Sequence, residues 1–135
     1  DELLAFLNEL LEAERAGAQV TARSSLQCDD PALKAMLIDI QRDESRWCSM
    51  LLKWIKALEG EPSPRVGDFY GRCMAIEDLS ERLGFLNRGQ GWVARKLRAM
   101  MPKARDDAMH ADFKAMLESH QENIARANEA IKTRL

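Results

Sequence analysis

The amino-acid sequence predicts an all-α protein, a four-helix bundle built from two helical hairpins. Three observations favour this class. Apolar residues recur every three or four positions almost throughout the chain, and no segment alternates with the period of a β-strand. The four prolines lie at the borders of the periodic segments. Hydrophobic residues make up 46% of the chain and charged residues 31%, which is typical of amphipathic helices. A chain of 135 residues is long enough for a single domain, predicted over residues 1–135.

Two helices at the start of the chain form the first predicted hairpin. The first helix runs from about residue 2 to residue 26. The second begins at about Pro31, because Asp30 is a favourable N-cap and proline suits the first helical turn. It ends near Gly60 and Pro62, since glycine often follows the last helical turn and proline does not continue a helix.

The stretch GEPSPRVGDFYG, residues 60–71, is a connector with a loop-like composition. The third predicted helix follows it, with apolar residues from Ile76 to Met100. The turn PKARDD then leads to a fourth helix, with apolar residues from Met109 to Ile131. Fully extended, the connector spans about 40 Å, just enough to run the length of a helix. We therefore favour a crossover that makes the second and third helices parallel, while an up-down-up-down order stays open.

Each predicted helix interrupts its apolar stripe once, near its middle, with a polar residue. In chain order these residues are Glu14, Glu44, Gln90 and His120. Glu14 and Glu44 are 30 positions apart, and so are Gln90 and His120, so each hairpin places its two polar residues at matching heights. Burying a carboxylate is costly unless it is paired or bound to a metal, and bundle cores are a usual location for carboxylate–histidine metal sites. We expect one polar layer across the bundle.

Two segments of the first hairpin resemble a known group of proteins. ELLEAERAGA, residues 9–18, is similar to the first helix of rubrerythrin-type ferritin-like proteins, which carries a metal-binding glutamate. LKAMLIDIQRDESRWCSMLLKWI, residues 33–55, resembles their second helix, including that of encapsulated ferritins, which carries Glu-x-x-His. The third and fourth helices match only in pattern. The resemblance implies a ferritin-like bundle, of a bacterial type, with a metal centre in its core.

The resemblance assigns metal-binding roles to two glutamates, while several other ligand positions of the family carry residues that do not match. Glu14 matches the first-helix glutamate and Glu44 the glutamate of Glu-x-x-His, but Trp47 stands where the histidine is expected. His120 matches the second histidine, while Leu117 occupies its glutamate position. On the third helix, Gln90 or Asn87 replaces a glutamate.

A full di-iron site of this kind uses four carboxylates and two histidines, so the resemblance implies a degenerate, mononuclear centre here. Glu14, Glu44 and His120 would bind one Fe, Mn or Zn ion, because two carboxylates and an imidazole suit such ions. Gln90 would be a fourth ligand or a supporting donor. Glu118 and Asn123 are further assisting candidates.

A metal-free interpretation stays open beside this one. The polar layer would then be a hydrogen-bonded network that fixes helix register, with Arg15 or Arg88 neutralising charge, in a structural or partner-binding module without catalysis. A third interpretation is a pocket for an unknown small molecule beside Gly89 and Gly91, two glycines inside a predicted helix. Whether the protein is an enzyme stays open.

Composition excludes several function classes. The net charge of −2 and the pI near 5.8 argue against nucleic-acid binding. No apolar run approaches the roughly 20 residues that span a membrane. Three cysteines without metal-ligand spacing predict reduced thiols in a cytoplasmic protein.

Apolar residues predicted to be exposed, Phe69, Tyr70 and Phe85, would support a homodimer.

Overall fold

The computed structural model describes residues 1–134, and within them the chain is all-helical. The described residues form five α-helices and one 3-10 turn at Met101–Lys103, without a β-strand. The all-α class is confirmed. No helix in this part of the chain is both long enough and apolar enough to cross a membrane. The helices are α1 (Glu2–Leu26), α2 (Pro31–Ala57), α3 (Phe69–Met74), α4 (Leu79–Met100) and α5 (Asp107–Arg134).

The chain divides into two compact units, with the boundary between Glu77 and Asp78. The first unit contains α1, α2 and α3, and the second contains α4 and α5. Each unit therefore holds one of the two predicted hairpins.

Aspartate caps begin the long helices. The Asp30 carboxylate accepts hydrogen bonds from the backbone N–H groups of Ala32 and Leu33, at 2.9 and 3.3 Å, so the predicted cap is confirmed. Asp78 caps α4 in the same way, which places the start of that helix at Leu79. The prediction that Ile76 belongs to the third helix is therefore wrong. Asp1 and Asp106 cap α1 and α5.

In the first unit, α1 and α2 pack against each other through their apolar stripes. Leucines 7, 10 and 11 of α1 are fully buried, as are Leu37, Ile40, Leu51 and Ile55 of α2. The short helix α3 was not predicted as a separate element, and it packs on α1. Phe69 and Tyr70 lie in it and are half-buried, as is Phe85 of α4, so the prediction that these three are exposed is wrong.

The end of α2 follows the Schellman pattern with an unexpected residue in its left-handed position. The N–H of Gly60 donates to the carbonyl of Ile55, and that of Glu59 to Lys56, both at 2.9 Å. Glu59, with a φ of 59°, adopts the left-handed conformation that usually selects glycine. Gly60 meets a different need, because a Cβ there would overlap the side chain of Leu4. The helix ends where the sequence predicts, for a partly different reason.

In the second unit, α4 and α5 form the second hairpin. Its fully or almost fully buried side chains include Leu83, Leu86, Leu97, Phe113 and Met116. The side chain of Asn87 links the two helices, because its Nδ2 donates to the Ile124 carbonyl at 3.0 Å and to Asn128 Oδ1 at 2.9 Å.

Candidate metal centre

All four residues that interrupt the apolar stripes are buried. Glu14 and Glu44 are each 2% exposed, Gln90 is 4% exposed and His120 is 1% exposed. Buried carboxyl groups are rare in proteins and need compensation from a partner, a proton or a cation. The prediction that these positions face a protein interior is confirmed.

In the first unit, the structure brings Glu14 of α1 and Glu44 of α2 together. The two side chains offer carboxylate oxygens within 4.8 Å of each other, and the two carboxyl groups are joined by a hydrogen bond. Two carboxyl groups at this distance do not both ionise readily, because their charges repel in a site that water does not screen. The hairpin thus presents a carboxyl pair, here defined as Glu14 and Glu44.

The carboxyl pair holds a proton at neutral pH. Burial raises the pKa of Glu14 to about 8, and the hydrogen bond with Glu44 lowers it only in part. Desolvation dominates because the charged form loses its hydration in the interior. A cation placed against the pair would replace that proton as the compensating charge.

Arg15, next to Glu14 in the chain, is directed to the connector. Its Nη1 donates to the carbonyls of Ser63 and Arg65, at 2.8 and 2.7 Å. Asn8 and Glu12, on the same face of α1, also bind Ser63, at 2.7 and 2.6 Å. Three side chains of one helix face thus fasten the connector to α1. The two hydrogen bonds of Arg15 Nη1 thus go to the connector and not to the carboxyl pair.

Cys48 lies one helical turn after Glu44 and is half-buried. The pKa of its thiol is raised to about 12, first by burial and then by the charges of Glu14 and Glu44, while the charge of Arg15 acts in the opposite direction. The thiolate is the reactive form of cysteine, so this thiol is unreactive at neutral pH. None of the three cysteines forms a disulfide within the described residues.

In the second unit, the orientation of the His120 ring identifies the nitrogen that is able to bind a metal. Nδ1 lies 2.9 Å from the carbonyl oxygen of Met116. A carbonyl only accepts hydrogen bonds, so Nδ1 carries a proton and the lone pair of the neutral ring is on Nε2. Metal-binding histidines commonly donate their second ring nitrogen to a backbone carbonyl in this way.

Gln90 is buried on α4, and neither its Oε1 nor its Nε2 has a hydrogen-bond partner among the described residues. One turn earlier, Asn87 uses its Nδ2 twice, but its Oδ1 has no hydrogen-bond partner there either. A buried amide without partners costs about 1–3 kcal/mol. Gln90 is thus a polar group available to a ligand or a bound water.

The other residues considered for the site differ in their burial. Trp47, in place of the expected histidine, is buried with 3% of its surface exposed, and an indole does not bind a metal ion. Asn123 is buried with 4% exposure. Glu118 is exposed, because it lies two positions from the buried Met116 and His120 and thus on another face of α5. The expectation that Glu118 assists the site is not supported.

The small-molecule interpretation gains no support from the glycine that would test it. A Cβ on Gly91 would lie 3.5 Å from Nη1 of Arg95, an ordinary contact with a flexible side chain. A groove of about 640 Å³ lies elsewhere, in the first unit, and includes Leu26, Lys34, Ile38 and Arg42. Neither Glu14 nor Glu44 lines it.

The sequence analysis missed one residue of the first unit. Gly17 is buried one turn after Glu14, and it lies against the Glu44 carboxyl group. The available signal was a glycine in the buried stripe of a long helix, where glycine is a poor helix former.

No curated protein matches the chain in sequence. One family of proteins matches it over residues 1–129, and its description is a domain of unknown function (DUF6306). That match includes residues of both units, among them Glu14, Glu44, Gln90 and His120. Since it spans nearly the whole sequence, the chain belongs to the DUF6306 family.

Proposed function

We propose that this protein binds one divalent transition-metal ion, Fe, Mn or Zn, through the carboxyl pair and His120, with Gln90 as a fourth ligand or supporting donor. The observation that carries the proposal is the carboxyl pair itself, two buried glutamates joined across one hairpin. Such a pair is unfavourable without a compensating charge, and a cation compensates it best, since it allows both carboxylates to ionise.

The protonation of the His120 ring supports binding of the same ion. Its Nε2 lone pair is fixed by the hydrogen bond from Nδ1 to Met116. Two carboxylates with one imidazole form a donor set that suits iron, manganese and zinc. When bound, such an ion would supply Lewis acidity and, if it is iron or manganese, one-electron redox chemistry. The chain's own residues would hold the ion and set the protonation of the ligands around it.

The departures from the ferritin-like pattern favour one ion over two. Trp47 fills the position of the expected second-helix histidine, and Leu117, half-buried, offers no carboxylate. We therefore propose a ferritin-like arrangement of the two hairpins with a mononuclear centre. Di-iron oxidase chemistry is not part of the proposal.

Metal content per chain tests this function. Untagged protein from cells supplied with iron, manganese and zinc would be measured by mass spectrometry. It would then be stripped with a chelator and titrated with each ion. Wild-type protein is expected to bind about one ion per chain, and Glu14→Gln and His120→Ala are expected to lose it. The thermal midpoint of the stripped protein should rise on adding the ion, because a ligand bound only to the folded state stabilises it.

His110→Ala is the matched control, since His110 is an exposed histidine of the same helix. It is expected to retain the metal. Less than about a tenth of an ion per chain in the wild type, with no change of midpoint, would exclude the proposal. Equal loss of metal in His110→Ala and His120→Ala would remove His120 from the site.

A second candidate function is a metal-free structural or partner-binding module. The bonds of Asn87 to Ile124 and Asn128 favour it, because they are buried polar contacts that fix one helix against another. In that case added ions leave the midpoint unchanged, while His120→Ala lowers it. The expected cytoplasmic location and homodimer belong to either proposal, and light scattering of the purified protein measures the oligomeric state.

A further inference from the structure

Gly17 lies in the middle of α1, on the buried side of the helix. Glycine is among the poorest helix formers, and alanine is the best. Local helix propensity therefore does not explain a glycine at this position. The close approach of a side chain from another helix to the backbone of α1 does explain it.

That approach is made by the carboxyl group of Glu44. A Cβ placed on Gly17 would lie 2.9 Å from Cδ of Glu44 and 3.0 Å from each of its two carboxylate oxygens. Side-chain carbons do not tolerate contacts this short, so either the helix or the carboxyl group has to move if residue 17 is larger than glycine. The Glu44 carboxyl group thus rests directly on the backbone of α1.

Gly17 lies within the unbroken helix α1, and its carbonyl accepts a hydrogen bond from Oγ1 of the buried Thr21, on the same helix, at 2.8 Å. Moving residue 17 would therefore mean moving the helix. The end of the Glu44 side chain is the more flexible of the two partners. Glu44 is itself buried and hydrogen-bonded to Glu14, so a displacement of its carboxyl group changes the geometry of the carboxyl pair.

We infer that Gly17 is a positioning residue: its missing side chain makes the space that holds the Glu44 carboxyl group beside Glu14. A larger residue displaces that carboxyl group and weakens metal binding, while the helices stay intact. The part that concerns metal rests on the proposed function. The part that concerns the position of Glu44 does not.

The test compares Gly17→Ala with Gly84→Ala in the full chain. Gly84 is also helical, and a Cβ there meets nothing within 4 Å, so it is the matched control. Zinc, manganese and iron(II) are titrated separately into stripped protein. Gly17→Ala is expected to bind the ion at least tenfold more weakly than the wild type, with unchanged helical circular dichroism. Gly84→Ala is expected to bind it as the wild type does.

A double-mutant cycle with Glu44→Asp separates positioning from a general structural role. Aspartate is one methylene shorter, so it withdraws the carboxyl group from residue 17. In stripped protein, Gly17→Ala is expected to lower the thermal midpoint when residue 44 is glutamate and to raise it when residue 44 is aspartate. This readout does not require a metal.

The outcomes are distinct. If the wild type binds no ion, the proposed function fails, and the thermal cycle alone decides the role of Gly17. If the wild type binds an ion and Gly17→Ala binds it equally well, the inference is overturned. It is also overturned if Gly17→Ala raises the midpoint when residue 44 is glutamate.

Discussion

Replacing Glu14 by glutamine is expected to change how the stability of the metal-free protein depends on pH. Burial raises the pKa of Glu14 to about 8 in the folded chain, against an ordinary value of 4.5. Between these two values the folded carboxyl group keeps its proton while the unfolded one has lost it. Folding then takes up a proton, so the free energy of unfolding falls as the pH rises. The contribution is fully present below about pH 4.5 and is lost once the pH passes about 8.

The magnitude follows from the same two values. Each pH unit within this window changes the free energy of unfolding by about 1.4 kcal/mol, so the whole window allows at most about 5 kcal/mol. The hydrogen bond between Glu14 and Glu44 spreads the titration over both carboxyl groups, which makes a change of a few kcal/mol the expected result. Glutamine keeps the size of the protonated side chain and does not titrate.

Urea unfolding of chelator-treated protein, at steps of half a pH unit from about pH 5 to pH 8.5, measures the effect. The quantity of interest is the unfolding free energy of the wild type minus that of Glu14→Gln, because titrating groups outside the carboxyl pair cancel in the difference. This difference is expected to fall steadily with pH. Glu118→Gln, at an exposed position, is the matched control. Parallel curves for the wild type and Glu14→Gln would refute the reasoning, since Glu14 would then ionise alike in both states.

Three further predictions follow from single contacts. Glu59→Gly should raise the unfolding free energy by up to about 1 kcal/mol in urea, because residue 59 has a left-handed φ, and a decrease would contradict this. Cys48 should react with iodoacetamide at pH 8 at least about tenfold more slowly than in the unfolded chain, by peptide mass spectrometry, because burial raises the pKa of its thiol; equal rates would disprove it. Asn87→Ala should lower the unfolding free energy by about 1–3 kcal/mol, whereas no loss would mean that its hydrogen bonds to α5 contribute nothing net.

The helices could be predicted from the sequence because their signals are local. The apolar stripes set the lengths of α1 and α2, and Asp30 with Pro31 set the turn between them. The start of α4 was missed because Ile76 continues the apolar spacing, although Asp78 caps the helix two residues later. The short helix α3 was missed because its six residues are too few to show a period.

The buried polar residues could also be predicted, because a break in an apolar stripe is visible without a structure. Glu14, Glu44, Gln90 and His120 are all buried, as the stripes indicate. What the sequence could not provide is the hydrogen bond that joins the Glu14 and Glu44 carboxyl groups, or the hydrogen bond that sets the tautomer of His120. Both depend on side-chain rotamers that the residue pattern does not specify.

Gly17, Glu59 and Gly60 are the positions that the residue pattern did not explain, and the free energies involved at each of them are small. Glycine in a helix costs about 1 kcal/mol relative to alanine, and a left-handed non-glycine residue costs about 1–2 kcal/mol. Both glycines lie where a side chain from elsewhere in the chain approaches the backbone, Leu4 at position 60 and Glu44 at position 17, while Glu59 takes the left-handed position. A buried carboxyl group costs several kcal/mol unless it is compensated, which exceeds what one contact supplies. Glu14 and Glu44 are therefore the positions at which the sequence is most informative about the candidate site, and Gly17 becomes informative only once the Glu44 carboxyl group is seen to lie against it.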